Sequence, residues 1–235
     1  MYHDLAYLWP IISPPEDYQE EAVQFATLIR QYGPPGANSV LHLGCGGGHI
    51  DFTLKNYFQV TGIDLSAEML ELARRLNPEV QYIPGDMRTV QLDRQYDAVI
   101  VADSIDYMLS ELDLLQTFLN AYLHLKPGGL FCTYAEETSE SFQPDRCFCT
   151  AHQGEALHVT LVETYYDPVP DDNQYDMNFV YLVRQANGLT VEVDRHTAGL
   201  FPAATWQGLL ERAGFKTTRH TFKEDQIPWF IGLRL

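Results

Sequence analysis

Four glycines lie within five consecutive positions, directly after a short apolar run, in the stretch SVLHLGCGGGHI at 39–50. They are Gly44, Gly46, Gly47 and Gly48. Because glycine has no Cβ atom, the backbone can turn tightly there and come close to a ligand. A helix that begins after such a turn presents unpaired N–H groups to that ligand. The stretch therefore predicts a strand, a loop and a helix around a bound group.

Strand-like and helix-like patterns alternate along the chain up to Ala135 and return near its end. Helical runs such as SAEMLELARRL and ELDLLQTFLNAYLHL separate short strands that are apolar almost throughout. Such strands belong to a parallel sheet that helices cover on both faces. We therefore predict an α/β fold with a Rossmann-like, mostly parallel sheet of seven strands. The predicted strands are SVLHL, QVTGID, VQYIP, YDAVIVA, LFCTYA, FKTTRHTF and PWFIGLRL.

The pattern changes to a period of two after the fifth strand. Three runs at 156–199 alternate between apolar and polar residues, and Asn187-Gly188 joins the last two as a hairpin signal. We predict a small antiparallel insertion there. The expected division is an N-terminal helical segment and cap (1–37), a core with the glycine loop (38–138), the insertion (139–200), and a closing helix and strands (201–235).

Charge and composition exclude several classes of partner. The formal net charge is −17, from 32 acidic and 15 basic side chains. Such a surface repels phosphate backbones and anionic lipids, so we expect no nucleic-acid or membrane partner. The N-terminus lacks a basic leader, which favours a cytoplasmic location. Cys147, Cys149 and His152 have neither zinc-motif spacing nor a second ligand pair, so we predict no metal.

The residues around the glycine loop indicate which ligand it holds. His49 stands where a dinucleotide fingerprint needs a small residue. Asp64 ends the second strand, where a carboxylate accepts from the hydroxyls of a ribose. Asp86 follows the third strand, placed to accept from an adenine amino group, while the Met87 N–H reaches a ring nitrogen. Two acids and no phosphate-seeking lysine favour an adenosine without phosphates.

At this point the sequence resembles the class I S-adenosylmethionine-dependent methyltransferases. The matching motifs between 40 and 131 are VLHLGCGGG, VTGIDLSAEMLELAR, YIPGDMR, YDAVIVADSIDYM and LKPGGLF. The YHDLAYLW segment, the GDMR turn and the insertion are similar to a small-molecule subgroup that includes amino-sugar N,N-dimethyltransferases. The resemblance implies S-adenosyl-L-methionine as cofactor and a small molecule as methyl acceptor. The oligomeric state stays open, a homodimer included.

The resemblance and the strand ends together suggest a set of site residues. The expected cofactor-binding residues are Tyr7, Gly44, Cys45, Gly46, His49, Asp64, Leu65, Met69, Asp86, Met87, Ala102 and Asp103. Tyr107 and His196 are the candidate catalytic residues, and His196 is the candidate base because an unperturbed histidine titrates near neutrality. Loop acids such as Asp106 and Glu136 would attract a cationic amine. We therefore predict transfer to nitrogen, with an oxygen acceptor left open.

One residue departs from the family pattern. His42 stands where the family usually has an acid that helps to hold the methionine end of the cofactor. We interpret it as a buried histidine rather than a catalytic one, and we name Asp103 as a candidate substitute acid. Two alternatives stay open, a nicotinamide-dependent oxidoreductase and a non-catalytic protein that binds S-adenosylmethionine.

Overall fold

Two β-sheets organise the chain in a computed structural model that describes residues 5–170, 172–222 and 227–235. The larger sheet has seven strands in the order β10-β11-β5-β4-β1-β2-β3. Strands β1 to β5 run parallel, and β11 is antiparallel to both of its neighbours. This confirms the predicted sheet. Its strands are β1 Ser39–Leu43, β2 Gln59–Asp64, β3 Gln81–Pro84, β4 Tyr96–Val101, β5 Leu125–Tyr134, β10 Lys216–Thr221 and β11 Pro228–Leu233.

Helices cover both faces of this sheet, as predicted. Helices α2, α3 and α4 bury apolar residues on one face, where Phe25 meets Trp229 edge-on at 4.8 Å between ring centroids. Helices α5 and α6 cover the other face, where Phe118 and Trp206 pack beside Phe131. The α-helices are α1 Trp9–Ile12, α2 Gln19–Tyr32, α3 His49–Leu54, α4 Ala67–Leu76, α5 Glu111–His124 and α6 Ala203–Arg212. Short 3-10 helices lie at Ala6–Leu8, Pro15–Tyr18 and Asp103–Tyr107.

The insertion forms a separate antiparallel sheet of four strands, one more than the three runs that the sequence pattern indicated. Its strands are β6 Arg146–Gln153, β7 His158–Tyr166, β8 Gln174–Gln185 and β9 Gly188–Gly199, in sequential order. The pattern missed β6 because this edge strand is exposed along most of its length and so lacks an apolar face. An exposed edge strand needs no alternation.

The N-terminal segment joins the two sheets. Leu8 and Ile12 pack against Val159, Leu161 and Tyr181 of the small sheet. Farther along, α2 packs against the large sheet. The segment therefore bridges the insertion and the core, on the side where β1 to β4 end.

Ser66 caps the start of α4, since its Oγ accepts from the Met69 N–H at 3.1 Å. The described part of the chain contains no helix long and apolar enough to cross a membrane. The expected cytoplasmic location and the absence of nucleic-acid partners stay predictions.

Gly48 shows how tightly the glycine loop is packed from below. Its φ is +74°, and a Cβ atom there would lie 2.5 Å from the Tyr82 hydroxyl and 2.8 Å from Asn77 Nδ2. Asn77 Nδ2 donates to the Gly48 carbonyl at 2.8 Å. Both the backbone conformation and the space therefore require glycine.

We predict that Gly48→Ala lowers the free energy of unfolding by about 3 kcal/mol, because left-handed strain adds to overpacking. Gly36→Ala is the matched control: its φ is +76° but nothing lies within 4 Å of its Cβ position. The control should lose only the backbone contribution of about 1 kcal/mol. Urea denaturation measures both, and equal losses would contradict the packing argument.

Candidate active site

A cavity of about 390 Å³ opens where β1 to β4 end. The residues just beyond these strands line it, among them Gly44, Asp64, Gly85 and Ala102. This is the edge of a parallel sheet where ligands bind. The structure brings almost all of the predicted site residues to this cavity. They are Gly44, Cys45, Gly46, His49, Asp64, Leu65, Met69, Asp86, Met87, Ala102, Asp103, Tyr107 and His196.

Tyr7 is the predicted residue that does not line the cavity. It is 49% exposed, because the helical turn at Ala6–Leu8 directs Ala6 and Leu8 inward and Tyr7 to solvent. Trp9 and Tyr18 line the cavity instead. Both rings stack on His49, and Trp9 Nε1 donates to His49 Nδ1 at 2.6 Å.

Asp64 ties the glycine loop to the end of β2. Its two carboxylate oxygens accept from the N–H groups of Gly46 and Ser66, each at 2.8 Å. Burial raises the pKa of Asp64. Gly44 adopts φ +70°, and a Cβ atom there would collide with the Ser104 side chain. Because Gly44 and Gly46 have no side chains, their backbone atoms line the cavity directly.

At the far end of the cavity, Asp86 is part of a chain of ion pairs. Arg88 contacts Asp86 at 2.7 Å and Asp113 at 2.6 Å, which holds the pKa of Asp86 below its usual range. Arg88 is the one Lys or Arg side chain among the described residues that line this cavity. With its guanidinium committed to two carboxylates, the cavity offers no free cation for a diphosphate. The lining therefore suits an uncharged nucleoside.

His42 lies on the opposite side of the cavity and is 1% exposed. Its Nδ1 lies 2.7 Å from Oδ1 of Asp51, and the Tyr82 hydroxyl donates to Oδ2 of Asp51 at 3.0 Å. In the described part of the chain, His42 Nε2 is buried without a hydrogen-bond partner. The carboxylate in contact with His42 is therefore Asp51, whereas Asp103 binds the Tyr134 hydroxyl.

A second cavity, of about 330 Å³, adjoins the first beneath the small sheet. Trp9, Tyr18, Asp103 and Tyr107 line both cavities. The second cavity has aromatic walls and four carboxylates, with neither lysine nor arginine among its described lining residues. The carboxylates are Asp103, Asp106, Glu136 and Glu163, and the remaining rings are Tyr165, Tyr175, Phe179 and Tyr181.

These carboxylates raise one another's proton affinity. Asp106 is 6% exposed, and its Oδ1 has no hydrogen-bond partner among the described residues. Burial, with repulsion from Glu136 and Asp103, raises the pKa of Asp106 well above its usual range. Repulsion from Asp103 raises the pKa of Glu136 to about 8. The Glu136 side chain is exposed, so solvent screens part of that repulsion.

Tyr107 and His196 lie together at the margin of the first cavity. The Tyr107 hydroxyl is 3.1 Å from His196 Nδ1, and His196 Nε2 is 2.9 Å from a carboxylate oxygen of Asp194. Burial lowers the pKa of His196 to about 4. The imidazole is therefore neutral at pH 7 and a weak base.

Comparison with known proteins places this geometry in a family. Residues 40–129 match the family model described as a methyltransferase domain. The chain is 30% identical over 195 residues to a putative methyltransferase of Bacillus subtilis, covering 80% of this chain and 77% of that protein. The chain belongs to the S-adenosylmethionine-dependent methyltransferases. Its cofactor is S-adenosylmethionine, and nothing supports the oxidoreductase alternative.

Two further relatives of this methyltransferase are named for amino-sugar chemistry. A dTDP-3-amino-3,6-dideoxy-alpha-D-glucopyranose N,N-dimethyltransferase of Streptomyces fradiae is 29% identical over 202 residues, which cover 85% of this chain and 78% of that enzyme. An amino pentose methyltransferase from Micromonospora echinaspora, solved with S-adenosylmethionine bound, superposes with a TM-score of 0.82. That comparison covers 93% of this chain and 92% of the other, at 24% identity.

Sequence reasoning missed Asp51 and Tyr18. Asp51 follows the glycines in the first turn of α3, where an acid is ordinarily attributed to the helix dipole. Its complete burial depends on tertiary contacts with His42 and Tyr82 that no local pattern reveals. Tyr18 lies in the 3-10 turn Pro15–Tyr18, and its place in the cavity wall depends on the packing of its ring against His49.

We predict that the melting temperature of the ligand-free methyltransferase falls as pH rises from 7 to about 8, and that the contribution of Glu136 to this fall levels off above pH 8. In this window the unfolded chain has already lost the Glu136 proton, whereas the folded chain retains it up to its pKa of about 8. The folded state therefore binds more protons and loses stability as pH rises. The buried histidines His49 and His196, with pKa values lowered to about 4, contribute little above pH 7.

Calorimetry of matched variants checks this prediction. Glu136→Gln should flatten the decline, and the exposed control Glu155→Gln should keep it. A melting temperature that rises with pH in both variants and in the parent chain would contradict the prediction.

Proposed function

We propose that this methyltransferase transfers a methyl group to an amine nitrogen of a small molecule. The observation that carries the proposal is the junction of two cavities. One suits an uncharged nucleoside, and the other presents Asp106, whose Oδ1 is buried without a hydrogen-bond partner among the described residues. Burial makes this carboxyl retain its proton more strongly than usual, and a cation in the cavity would favour the ionised form and pair with it.

The first cavity holds the cofactor in this proposal. When bound, S-adenosylmethionine supplies a methyl group on a positively charged sulfur that leaves as a neutral thioether. Asp64 accepts from the ribose hydroxyls, Asp86 accepts from the adenine amino group, and the Met87 N–H donates to the adenine ring. Gly44, Cys45 and Gly46 line this cavity and would contact the part of the cofactor between ribose and sulfur.

His42 and Asp51 serve the methionine end. In the tautomer whose Nδ1–H donates to Asp51, Nε2 of His42 carries an acceptor lone pair. His42 lines the cavity, and Nε2 is the polar atom that it can offer to an ammonium group. The negative charge of Asp51 thus acts on the ammonium group through the imidazole ring of His42, whereas an acid at position 42 would contact that group directly.

The acceptor lies in the second cavity, and the chain aligns its nitrogen with the methyl group. Trp9, Tyr18 and Tyr107 line both cavities and so define the passage between them. The N-terminal segment and the small sheet cover this passage and exclude water, which favours direct displacement. The four-stranded sheet thus acts as a substrate lid.

An ammonium must lose a proton before its nitrogen can attack. Glu136, with a pKa of about 8, is better matched to this transfer than His196, with a pKa of about 4. Glu136 is also exposed, so it can pass the proton to solvent. His196 then positions the Tyr107 hydroxyl rather than accepting the proton. The names of the amino-sugar relatives also support nitrogen as the acceptor atom.

A panel of small amines, alcohols, phenols and carboxylates, assayed with S-adenosylmethionine for methyl transfer, tests the proposal. We expect transfer to amines only. Asp106→Asn should lower kcat/KM for an amine at least about tenfold, the loss of a charge-assisted contact of about 1.5 kcal/mol. The exposed control Asp93→Asn should leave it unchanged. Transfer confined to phenols or carboxylates would refute an amine acceptor.

Cofactor binding can be tested without turnover. We predict that Asp64→Asn weakens binding of S-adenosylhomocysteine about tenfold or more in isothermal titration calorimetry, because the amide has one acceptor oxygen where the carboxylate has two. Asp93→Asn again serves as the control. If the affinity of Asp64→Asn equals that of the parent, the ribose hydroxyls bind elsewhere.

A further inference from the structure

We propose that the methyl acceptor is a cation that enters the second cavity free, without a nucleoside diphosphate or another phosphate carrier attached. This inference rests on the proposed function and narrows its substrate class. It departs from the printed names of the amino-sugar relatives, whose substrates are linked to dTDP.

Carboxylates reach the second cavity from three separate elements. Asp103 and Asp106 come from the 3-10 helix after β4, Glu136 follows β5, and Glu163 comes from β7 of the small sheet. Because both the core and the lid contribute acids, the negative potential surrounds the cavity instead of marking one wall. A phosphate would add to the repulsion that already raises the pKa values of Asp106 and Glu136, whereas a cation would relieve it.

Asp106 is the second, independent indication of a cationic ligand. Its carboxylate is 6% exposed, and its Oδ1 has no hydrogen-bond partner among the described residues. By comparison, the Tyr134 hydroxyl lies within hydrogen-bonding distance of a carboxyl oxygen of both Asp103 and Glu21. Asp106 therefore keeps an acceptor directed at the cavity, where an ammonium group can donate to it.

No lysine or arginine is among the described residues that line this cavity. The guanidinium of Arg146, which packs on the lining ring of Tyr165, pairs with Glu137, while its Nε is buried without a hydrogen-bond partner among the described residues. Its planar group also lies over the rings of Phe142 and Tyr165, at 5.5 and 5.1 Å from their centroids. A diphosphate would have to displace Glu137 to gain more than a single contact with this guanidinium.

The walls suit a methylated ammonium. Aromatic faces attract cations, and more strongly when water is excluded. Tyr175 and Tyr181 are fully buried, and Trp9 and Tyr18 close the side toward the cofactor. An amine that gains methyl groups therefore keeps its charge and contacts these rings.

The other titratable groups that face the carboxylates are Glu21, Tyr107, Tyr165, Glu137, Arg146 and His152.

Titration calorimetry on the full chain saturated with S-adenosylhomocysteine tests the inference with two probes, benzyltrimethylammonium chloride and dTDP. We expect the ammonium probe to bind and dTDP not to compete with it. Asp106→Asn and Glu163→Gln should each weaken the ammonium probe at least about tenfold, while Asp93→Asn should not. Glu163 lies on the lid, so its variant remains informative if Asp106→Asn fails to fold.

The pH dependence separates a charge effect from a change of shape. The probe carries a permanent charge, so its affinity should rise from pH 6.5 to 8.5 as the cavity carboxylates lose protons, and Glu136→Gln should reduce this rise. Displacement of the probe by dTDP, or an affinity that neither acid variant changes, would overturn the inference.

A pair of substrates distinguishes this inference from the proposed function. A methyl glycoside of an amino sugar and its dTDP-linked counterpart carry the same amine. We expect kcat/KM to be at least about tenfold higher for the glycoside. A preference for the dTDP-linked form overturns the free acceptor but keeps the amine. Methylation of a hydroxyl with the amine untouched refutes the proposed function, while the binding experiment still decides the charge of the ligand.

Discussion

The two hydrogen bonds that Asp64 accepts from the N–H groups of Gly46 and Ser66 stabilise the edge of the large sheet where the first cavity opens. One carboxylate at the end of β2 fixes the loop after β1 and the start of α4 at the same time. The loop can stay in that position only because its residues lack side chains on the cavity side. Everything built over the cavity, from the stacked rings of Trp9 and Tyr18 to the small sheet, depends on this backbone surface.

Periodicity explains why most of the large sheet could be predicted from the sequence. Strands buried on both faces are apolar throughout, amphipathic helices repeat every three to four residues, and parallel strands bring their ends together. Asp64 and Asp86 could therefore be assigned to one cleft from their positions at the ends of predicted strands. Edge strand β6 could not be predicted, because it is exposed along most of its length and so lacks the alternation of apolar and polar residues. Tyr7 was misplaced because one residue of helical phase separates an inward from an outward side chain.

The polar interior could not be predicted in the same way. Asp51, His42, Tyr82 and Asn77 meet through contacts between residues far apart in the chain, and each has an ordinary local explanation. The acids around the second cavity look like solvated loop residues in the sequence. Only the fold shows that Asp106 is buried and that its Oδ1 has no hydrogen-bond partner within the described part of the chain. Sites that sacrifice stability for function tend to escape local rules, since those rules describe stable structure.

The hydrogen bond between Trp9 and His49 couples the walls of the two cavities. Trp9 forms part of the wall of both cavities, and its neighbours Leu8 and Ile12 pack on the small sheet. Any displacement of this segment from the small sheet would therefore also strain the contact with His49 at the start of α3. Access to the acceptor cavity and access to the cofactor cavity would then change together.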